Sequence, residues 1–516
     1  MPTALISVYD KTGLAEYAPL LAQMGWDLVA SGGTAKALTD AGIAVTPVET
    51  LTGVPEMFGG RVKTLHPAIY AGILAREGDL PELATLGYRP IDLVICNLYP
   101  FKETIAKANV TLAEAIEQID IGGVSLLRAA AKNFERVVVL SDPHDYEHAF
   151  AIYKMMGVLE PTMRRGLAAK AFALTREYDS LIAEYLGDSE HDQPAPGADA
   201  ELPDVIRLDL RKTHPLRYGE NPHQKGAFYA YPASKGALGG KVLGGKALSY
   251  NNLLDLDAAW RAVESFRTPA VVIVKHMNPA GIAVNTNLAV ALQDAVASDP
   301  MSAFGGVIAV NQIVDDDFVA AMGDLFVEAI AAPDFTSLAQ ELLATNRRNC
   351  RLLRMEDHLP PRALAHVELR AVRGGVLIQT IDRGDPHDAQ WRVVTKRAPS
   401  DTEMNALRFA WNAVQAVKSN AIVIANAQTT LGIGGGLPSR VDAARLAVGK
   451  AGEKAHGAVM ASDAFFPFAD GLQVGAEAGI TAVIAPGGSV RDADVIAAAD
   501  EADIAMIFTG IRHFRH

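Results

Sequence analysis

The sequence predicts an α/β protein, because short apolar runs rich in β-branched residues alternate with amphipathic helical patterns. Near the start of the chain, strand patterns at 4–8, 27–30 and 43–48 are separated by helical patterns at 14–24 and 35–40. This βαβαβ order is typical of a parallel sheet with right-handed crossovers. An apolar run at 270–274, closed by Asn-Pro and Gly, predicts another buried strand much further along the chain.

The length and one polar segment indicate how the chain is divided. A chain of 516 residues is long for a single core, so two to four domains are expected. The segment 187–197 is polar, mostly acidic and rich in Pro and Gly, and it has no periodicity. We therefore expect a first domain at 1–186, a linker at 187–204 and a second domain at 205–516.

The composition excludes several classes of function. A net charge of -13 argues against general binding to nucleic acids or anionic membranes, because both attract basic surfaces. No apolar run approaches a membrane span and the first residues lack the basic flank of a signal peptide, so a cytoplasmic protein is expected. Cys96 and Cys350 are the two cysteines, which excludes a disulfide framework and a cysteine-rich zinc site.

Two glycine-containing loops of the first domain are candidate anion sites. The Ser-Gly-Gly-Thr turn at 31–34 lies between a strand and a helix, so its hydroxyls, its N–H groups and the helix N-terminus can hold a phosphate. An ordinary N-cap explains the same residues equally well. The loop 59–67 carries Arg61 and Lys63 beside a glycine pair, and Pro67 limits helical continuation, which indicates a loop lining a cleft.

The remainder of the first domain continues the α/β pattern. A buried strand at 91–96 ends in Asn-Leu-Tyr-Pro-Phe at 97–101, and Thr111 with Glu114 forms a capping box for a helix ending near residue 118. Asp-Ile-Gly-Gly at 120–123 opens a helix that carries Arg128 and Lys132. A strand at 136–140 and helical spacing through 160–186 complete the domain.

In the second domain, Lys275 and His276 follow the predicted strand 270–274. In open α/β sheets ligands bind at the carboxyl ends of the strands. A cation beside a side chain that titrates near neutrality can hold a developing anion and move a proton. The alternative is a capped strand end whose polar residues face water.

Other polar clusters and strands follow, and familiar templates do not fit them. The polar clusters lie at 216–224, 248–252, 298–306, 417–420, 431–440, 462–471 and 512–516, with strands predicted at 421–425 and 482–485 and a final strand running into residue 512. Leu437 occupies the position of the third glycine of a dinucleotide fingerprint, and no Walker loop is present. The Pro-Cys-x-x-Cys part of the zinc deaminase signature is also absent.

Taken together, these motifs closely resemble the bifunctional purine biosynthesis proteins, which join a phosphoribosylaminoimidazolecarboxamide (AICAR) formyltransferase to an IMP cyclohydrolase. The similarity spans essentially the whole chain in one order. The motifs that carry it lie at 60–67, 97–101, 118–123 and 131–133 in the first half, and at 217–224, 275–276, 419–420 and 464–468 in the second.

The resemblance implies a fold, two reactions and a partner. It implies an N-terminal methylglyoxal-synthase-like domain with a parallel sheet, followed by two cytidine-deaminase-like α/β subdomains without a catalytic zinc. It also implies a homodimer with formyltransferase sites at the subunit interface. The reactions would be the last two steps of de novo IMP synthesis, with AICAR, formyl-AICAR and IMP as nucleotides and 10-formyltetrahydrofolate as co-substrate, without a metal.

The resemblance also assigns residues to each reaction. For formyl transfer, His276 would be the acid/base and Lys275 the electrostatic helper, a division that suits their intrinsic pKa values. Nucleotide contacts map onto Arg217, Tyr218, Gly305, Glu328, Asn420, Arg440, Phe465 and Arg512, with Asp470 near the folate. For cyclisation the matching residues are Lys63, Tyr99, Asp120 and Lys132, and the nucleotide would be held by Lys11, Ser31, Gly32, Gly33, Thr34, Arg61 and Thr64.

Three departures from the family pattern leave alternatives open. Leu437-Pro438 stands where the family usually has Gln followed by Gln or Met, Ala469 stands where Arg is common, and Asn426 replaces a usual Lys. One alternative is therefore a cyclohydrolase with an impaired formyltransferase. The other is a non-catalytic nucleotide-sensing module, against which the retained proton-transfer groups argue.

Overall fold

The structure is a computed structural model that divides into two compact units, Met1–Gln193 and Pro194–His516. It describes residues 1–107, 109–187, 202, 206, 208, 210–231, 234, 236–356 and 367–516. The division falls inside the segment predicted as a linker, most of which lies outside the described residues. None of the helices in the described ranges is long and apolar enough to cross a membrane.

The first unit is built on a five-stranded sheet in which every strand pair is parallel, in the order β3-β2-β1-β4-β5. The strands are β1 Thr3–Ser7, β2 Asp27–Ala30, β3 Thr46–Pro47, β4 Leu93–Cys96 and β5 Val138–Leu140. The predicted third strand at 43–48 is wrong in length. Because Pro47 donates no N–H, it suits the short edge strand that β3 forms.

The helices of the first unit pack around this sheet. They are α1 Leu14–Gln23, α2 Gly32–Asp40, α3 Val48–Thr52, α4 Pro67–Leu74, α5 Leu80–Thr85, α6 Phe101–Ile105, α7 Leu112–Glu117, α8 Gly122–Lys132, α9 Tyr146–Met156 and α10 Pro161–Gly187. The capping box of Thr111 and Glu114 is present at the start of α7, as predicted. Helix α2 begins three residues earlier than predicted, and Pro67 begins a helix rather than limiting one, since the first helical position needs no N–H.

The second unit contains two six-stranded mixed sheets with the same topology. Their orders are β10-β9-β11-β12-β13-β8 and β16-β21-β20-β19-β17-β18. In each sheet an antiparallel hairpin joins a run of three parallel strands, and an antiparallel strand lies at the opposite edge. This duplication agrees with two α/β subdomains. The strands of this unit are β6 Arg211–Leu216, β7 Gly226–Ala230, β8 Lys241–Gly244, β9 Ala270–Lys275, β10 Asn278–Val284, β11 Gly306–Val310, β12 Val327–Ala332, β13 Arg351–Arg354, β14 Val367–Val372, β15 Gly375–Thr380, β16 Arg392–Val393, β17 Ile422–Ala425, β18 Thr430–Gly434, β19 Val459–Ser462, β20 Ala482–Ala485 and β21 Ala505–Phe508.

Helices cover both faces of each large sheet. They are α11 Tyr250–Glu264, α12 Leu288–Ser298, α13 Pro300–Ala303, α14 Asp316–Ala321, α15 Ser337–Asn346, α16 Asp401–Val414, α17 Arg440–Ala451, α18 Asp470–Glu477 and α19 Asp492–Glu501. Successive side chains of β9 point to opposite faces of its sheet, and both faces are covered by helices, which explains why its apolar run is continuous. Val272 and Val274 join a core that includes α11 and α16, whereas Val271 and Ile273 face α12, so both faces of the strand are buried. The final strand ends at Phe508, before the residue 512 to which it was predicted to run.

Candidate active sites

Loops at the carboxyl ends of β1 and β4 are joined by a side-chain amide. Asn97 Oδ1 accepts the N–H groups of Tyr9 and Asp10 at 2.7 and 3.0 Å, and Asn97 Nδ2 donates to the Asp10 carbonyl at 2.8 Å. The rings of Tyr9 and Tyr99 meet edge to face with centroids 5.8 Å apart. Lys11 Nζ donates to the Tyr9 carbonyl at 3.2 Å. These contacts bring the predicted site residues Lys11 and Tyr99 to the same edge of the sheet.

The turn at 31–34 lies at the same edge and uses its hydroxyl groups internally. The Ser31 and Ser7 hydroxyls lie 2.9 Å apart, and Thr34 Oγ1 donates to the Val8 carbonyl at 3.0 Å while accepting the Val8 N–H at 3.1 Å. Ser31 makes no capping bond, so the ordinary N-cap reading does not hold. The groups available to an anion are therefore the first N–H groups of α2, beside Gly33, where an added Cβ would meet open space.

Lys63 crosses this turn. Its Nζ lies 3.1 Å from Glu56 Oε2. A Cβ added to Gly32 or to Gly60 would lie only 2.8 Å from Lys63 Nζ, and both glycines have positive φ angles, of 36° and 95°. The two glycines thus let the ammonium group approach the N-terminus of α2. Lys63 brings a second positive charge to the edge that carries Lys11.

Asp120 lies immediately before α8 and is held by backbone groups. Its Oδ1 accepts the Gly123 N–H at 2.7 Å, and its own N–H donates to the Tyr178 hydroxyl at 2.8 Å. Burial raises the pKa of Asp120, although hydrogen bonds from the Gly123 and Tyr99 backbones oppose this change. A carboxyl group with a raised pKa beside Tyr99 is suited to carry a proton between a substrate and water.

Thr64, Arg61 and Lys132 complete the predicted set, but they are placed differently. Thr64 is buried, and a Cβ on Gly122 would lie 3.0 Å from its Oγ1, so it contacts the start of α8. Arg61 is exposed and forms an ion pair with Glu117. Lys132 is the last residue of α8, roughly 15 Å along the helix at 1.5 Å per residue. The structure of one chain therefore separates Lys132 from Asp120.

In the second unit, Lys275 and His276 lie at a tight hairpin turn. β9 and β10 are antiparallel with Lys275 opposite Asn278, so the turn consists of His276 and Met277, whose φ angles are 55° and 62°. Such a turn usually contains Asn-Gly, because side chains disfavour positive φ. Two N–H groups of this turn donate to Asp255 in α11, from Met277 at 2.7 Å and from His276 at 3.3 Å. The His276 side chain is exposed.

Gly305 adjoins the lysine of this turn. Lys275 Nζ donates to the Phe304 carbonyl at 2.7 Å, and a Cβ on Gly305 would lie 3.9 Å from that nitrogen. Gly305 has a φ of 75°, which glycine adopts readily. On the neighbouring strand β12, Glu328 is ion-paired with Arg351. The structure thus brings the predicted residues Lys275 and Gly305 together. Glu328, in contrast, is bound by Arg351 of the same chain.

Asn420 is held by a buried ion pair. Arg440 Nη2 donates to Asn420 Oδ1 at 2.7 Å, while Arg440 Nη1 donates to Asp463 Oδ1 at 2.6 Å. Arg440 is 6% exposed and Asp463 is 0% exposed. Asn420 Nδ2 also donates to the Leu437 carbonyl at 3.0 Å. In this structure Arg440 therefore orients Asn420. Leu437 also orients Asn420, through its backbone carbonyl and not through its side chain.

The sequence analysis missed a buried charged cluster that holds the C-terminal residues. His513 is 2% exposed, with Nδ1 2.6 Å from Asp382 Oδ2 and Nε2 2.8 Å from Asp385 Oδ1. Burial opposes a charge on His513, but its bonds to the two carboxylates outweigh burial and raise its pKa to about 9. The indole N–H groups of Trp391 and Trp411 donate to Asp385. The sequence contains no local signal for this cluster, because His513 lies 131 and 128 residues from its partners Asp382 and Asp385.

The other predicted residues of the second unit lie on loops and helix ends. Arg512 stacks on Phe514 with its guanidinium carbon 4.2 Å from the ring centroid, and Arg217 lies 5.1 Å from the Tyr218 ring centroid. Phe465 is partly exposed, and Asp470 begins α18. Within the described ranges, no cluster of three or more His, Cys, Asp or Glu side chains is suited to a metal ion.

Comparisons with known proteins identify the family of this chain. A family described as the AICARFT/IMPCHase bienzyme matches residues 130–450, and the MGS-like domain matches residues 13–125. Relatives named "Bifunctional purine biosynthesis protein PurH" are 49% identical in Sorangium cellulosum, 52% in Chloroflexus aurantiacus and 48% in Desulfitobacterium hafniense. Each comparison covers 99% of this chain and 98–99% of the relative. The resemblance and the fold class inferred from the sequence are confirmed, and the chain belongs to the AICARFT/IMPCHase bienzyme family.

Proposed function

We propose that this AICAR formyltransferase and IMP cyclohydrolase carries out its two reactions at separate places in the chain, cyclisation in the first unit and formyl transfer in the second. This assignment rests on one observation: side chains predicted for each reaction lie near one another within one unit. Lys11, Lys63, Tyr99 and Asp120 gather at one edge of the parallel sheet, and Lys275 and His276 form the β9–β10 turn of the second unit.

For formyl transfer, the donor is 10-formyltetrahydrofolate. The 5-amino nitrogen of AICAR attacks the formyl carbon, and negative charge develops on the formyl oxygen. The ammonium group of Lys275 stabilises that charge, while His276 accepts the proton lost by the amine. The bond from the formyl carbon to the folate nitrogen then breaks, and the proton from His276 passes to that nitrogen.

For cyclisation, the carboxamide nitrogen of formyl-AICAR attacks the formyl carbon, and the formyl oxygen leaves as water. The first N–H groups of α2 and Lys11 hold the nucleotide phosphate, and Lys63 stabilises charge on the oxygen. Asp120 and Tyr99 transfer the protons. The raised pKa of Asp120 supports this role, since a proton carrier acts best when its pKa is closer to the working pH.

We also propose a cytoplasmic homodimer that needs no metal. Lys132 lies too far along α8 to meet Asp120 of its own chain. In the proposed homodimer, Lys132 of the partner subunit completes the site. Two of the departures, Leu437 and Asn426, make hydrogen bonds within the chain. Leu437 acts through its carbonyl, and Asn426 caps the β17–β18 turn by accepting the Gln428 and Thr429 N–H groups.

A coupled assay tests these assignments. Purified protein is given AICAR and 10-formyltetrahydrofolate, and tetrahydrofolate and IMP are followed separately. We expect His276→Ala to stop both products, and Asp120→Asn to release tetrahydrofolate while formyl-AICAR accumulates. Protein that cyclises supplied formyl-AICAR but never consumes the folate would favour the impaired formyltransferase. Nucleotide binding without either product would favour the sensing module.

A further inference from the structure

We propose that Asp255 is a positioning residue that holds His276 in the conformation required for formyl transfer. This inference rests on the proposed role of His276. Asp255 lies in α11 and accepts two consecutive backbone N–H groups with its two carboxylate oxygens. Oδ1 accepts the Met277 N–H at 2.7 Å and Oδ2 accepts the His276 N–H at 3.3 Å.

The turn needs this support because of its side chains. Both residues have positive φ angles, 55° for His276 and 62° for Met277, in a region that L-amino acids with side chains rarely adopt. A two-residue hairpin turn of this kind normally contains Asn-Gly or Asp-Gly. Here a catalytic histidine occupies the first position and a methionine the second. A carboxylate that accepts both N–H groups at once favours the left-handed backbone over its alternatives.

The rest of the hairpin is held independently of Asp255. The Asn278 side chain accepts the Lys418 N–H at 3.0 Å, and Lys275 is bound to the Phe304 carbonyl at 2.7 Å. The four residues 271–274 of β9 are fully buried. Loss of Asp255 therefore affects the direction of the His276 side chain more than the presence of the hairpin.

Asp255→Asn is the informative variant, because it keeps the size of the side chain. An amide has one oxygen that accepts and one NH₂ group that cannot, so one of the two N–H groups loses its partner and faces a donor. A displacement of about 1 Å at a catalytic group lowers turnover by up to about 100-fold. We expect the kcat of formyl transfer to fall about 10- to 100-fold, with the KM for AICAR changed less than about 3-fold.

Three comparisons separate positioning from a general effect on folding. Cyclisation of supplied formyl-AICAR should keep its wild-type rate. Asp257→Asn, on the same helix and paired with Arg261 at 2.9 Å, should leave both reactions unchanged. Met277→Gly in the Asp255→Asn protein should restore most of the lost kcat, because glycine adopts positive φ without the carboxylate.

The outcomes distinguish this inference from the proposed function. If His276→Ala is inactive while Asp255→Asn keeps its full kcat, the role of Asp255 is wrong and the role of His276 stands. If His276→Ala retains full formyl transfer, the proposed function of His276 is wrong, and the inference fails with it. A loss of kcat in Asp255→Asn that Met277→Gly does not relieve, together with a lower melting temperature, would also overturn the inference.

Discussion

Raising the pH through about 9 removes the charge of His513 and weakens the cluster that it forms with Asp382 and Asp385. The imidazole is 2% exposed and bonds a carboxylate through each nitrogen, at 2.6 and 2.8 Å. These bonds outweigh the effect of burial and raise its pKa to about 9, from the value of 6.5 for an isolated histidine. The folded protein therefore binds this proton more tightly than the unfolded chain does.

The sign and the size of the effect follow from that difference. Because the pKa is higher in the folded state, the contribution is fully present below pH 6.5 and is lost as the pH rises through about 9. A change from 6.5 to about 9 corresponds to about 3 kcal/mol of unfolding free energy, since each tenfold change in proton affinity is worth about 1.4 kcal/mol. Burial opposes a charge on Asp382 and Asp385, but it is outweighed by His513 together with the Gly384 N–H at Asp382 and the two indole N–H groups at Asp385. The pKa values of both carboxyl groups are therefore lowered from 3.8, so their contribution is lost only in more acidic solution.

Urea unfolding followed by tryptophan fluorescence measures this contribution. The indoles of Trp391 and Trp411 bond Asp385 directly, so their emission reports on the cluster. We expect the unfolding free energy of the native protein to fall by about 3 kcal/mol between about pH 6 and pH 10, and that of His513→Gln to change much less. The milder Asp382→Asn should lose part of the dependence. An equal fall in the native protein and in His513→Gln would refute the assignment.

Three further predictions concern buried groups. Arg440→Met leaves Asp463, which is 0% exposed, without its guanidinium partner, and should cost about 3–5 kcal/mol of unfolding free energy in a urea titration; a cost near zero would contradict the ion pair's role. Gly432→Ala directs a Cβ into a backbone carbonyl of α17, so we expect a large fall in melting temperature, and an unchanged value would refute the packing. Burial raises the thiol pKa of both Cys96 and Cys350, so Ellman's reagent should react with neither in the native protein near pH 8 and with both after unfolding; rapid native reaction would show that a thiol is accessible.

Local sequence patterns predicted the helices and strands well where a single local signal, such as an apolar run or a capping box, was strong. The strands of the first sheet follow from β-branched apolar runs, and α7 follows from the capping box of Thr111 and Glu114. The prediction failed at Pro47, where the missing N–H limits the edge strand. It also did not reveal that the Ser31 and Thr34 hydroxyls bind other parts of the sheet edge. Side-chain partners of this kind depend on which strands are neighbours, and periodicity does not reveal this.

The candidate sites also combine features that the sequence revealed with features that only the structure shows. The motif at 275–276 was visible because a cation and an imidazole follow a buried strand. The left-handed turn and its acceptor Asp255 were not visible in the sequence. His-Met lacks the Asn-Gly signal of such a turn, and Asp255 lies on a separate element, helix α11, earlier in the chain. The separation of Lys132 from Asp120 was already implied by the sequence, which places Asp120 at the start of the helix that carries Lys132.

The sequence by itself determined the α/β class, the parallel first sheet and the family, because β-branched runs, helical spacing and ordered motifs are local properties of the chain. Only the tertiary structure decided that the second unit repeats one sheet topology, that Arg440 is buried against Asp463, and that His513 is charged between Asp382 and Asp385. Asp382 and Asp385 lie 131 and 128 residues before His513 in the sequence. Packing brings such groups together, and low solvent exposure then strengthens their interaction, so their chemistry is a property of the fold.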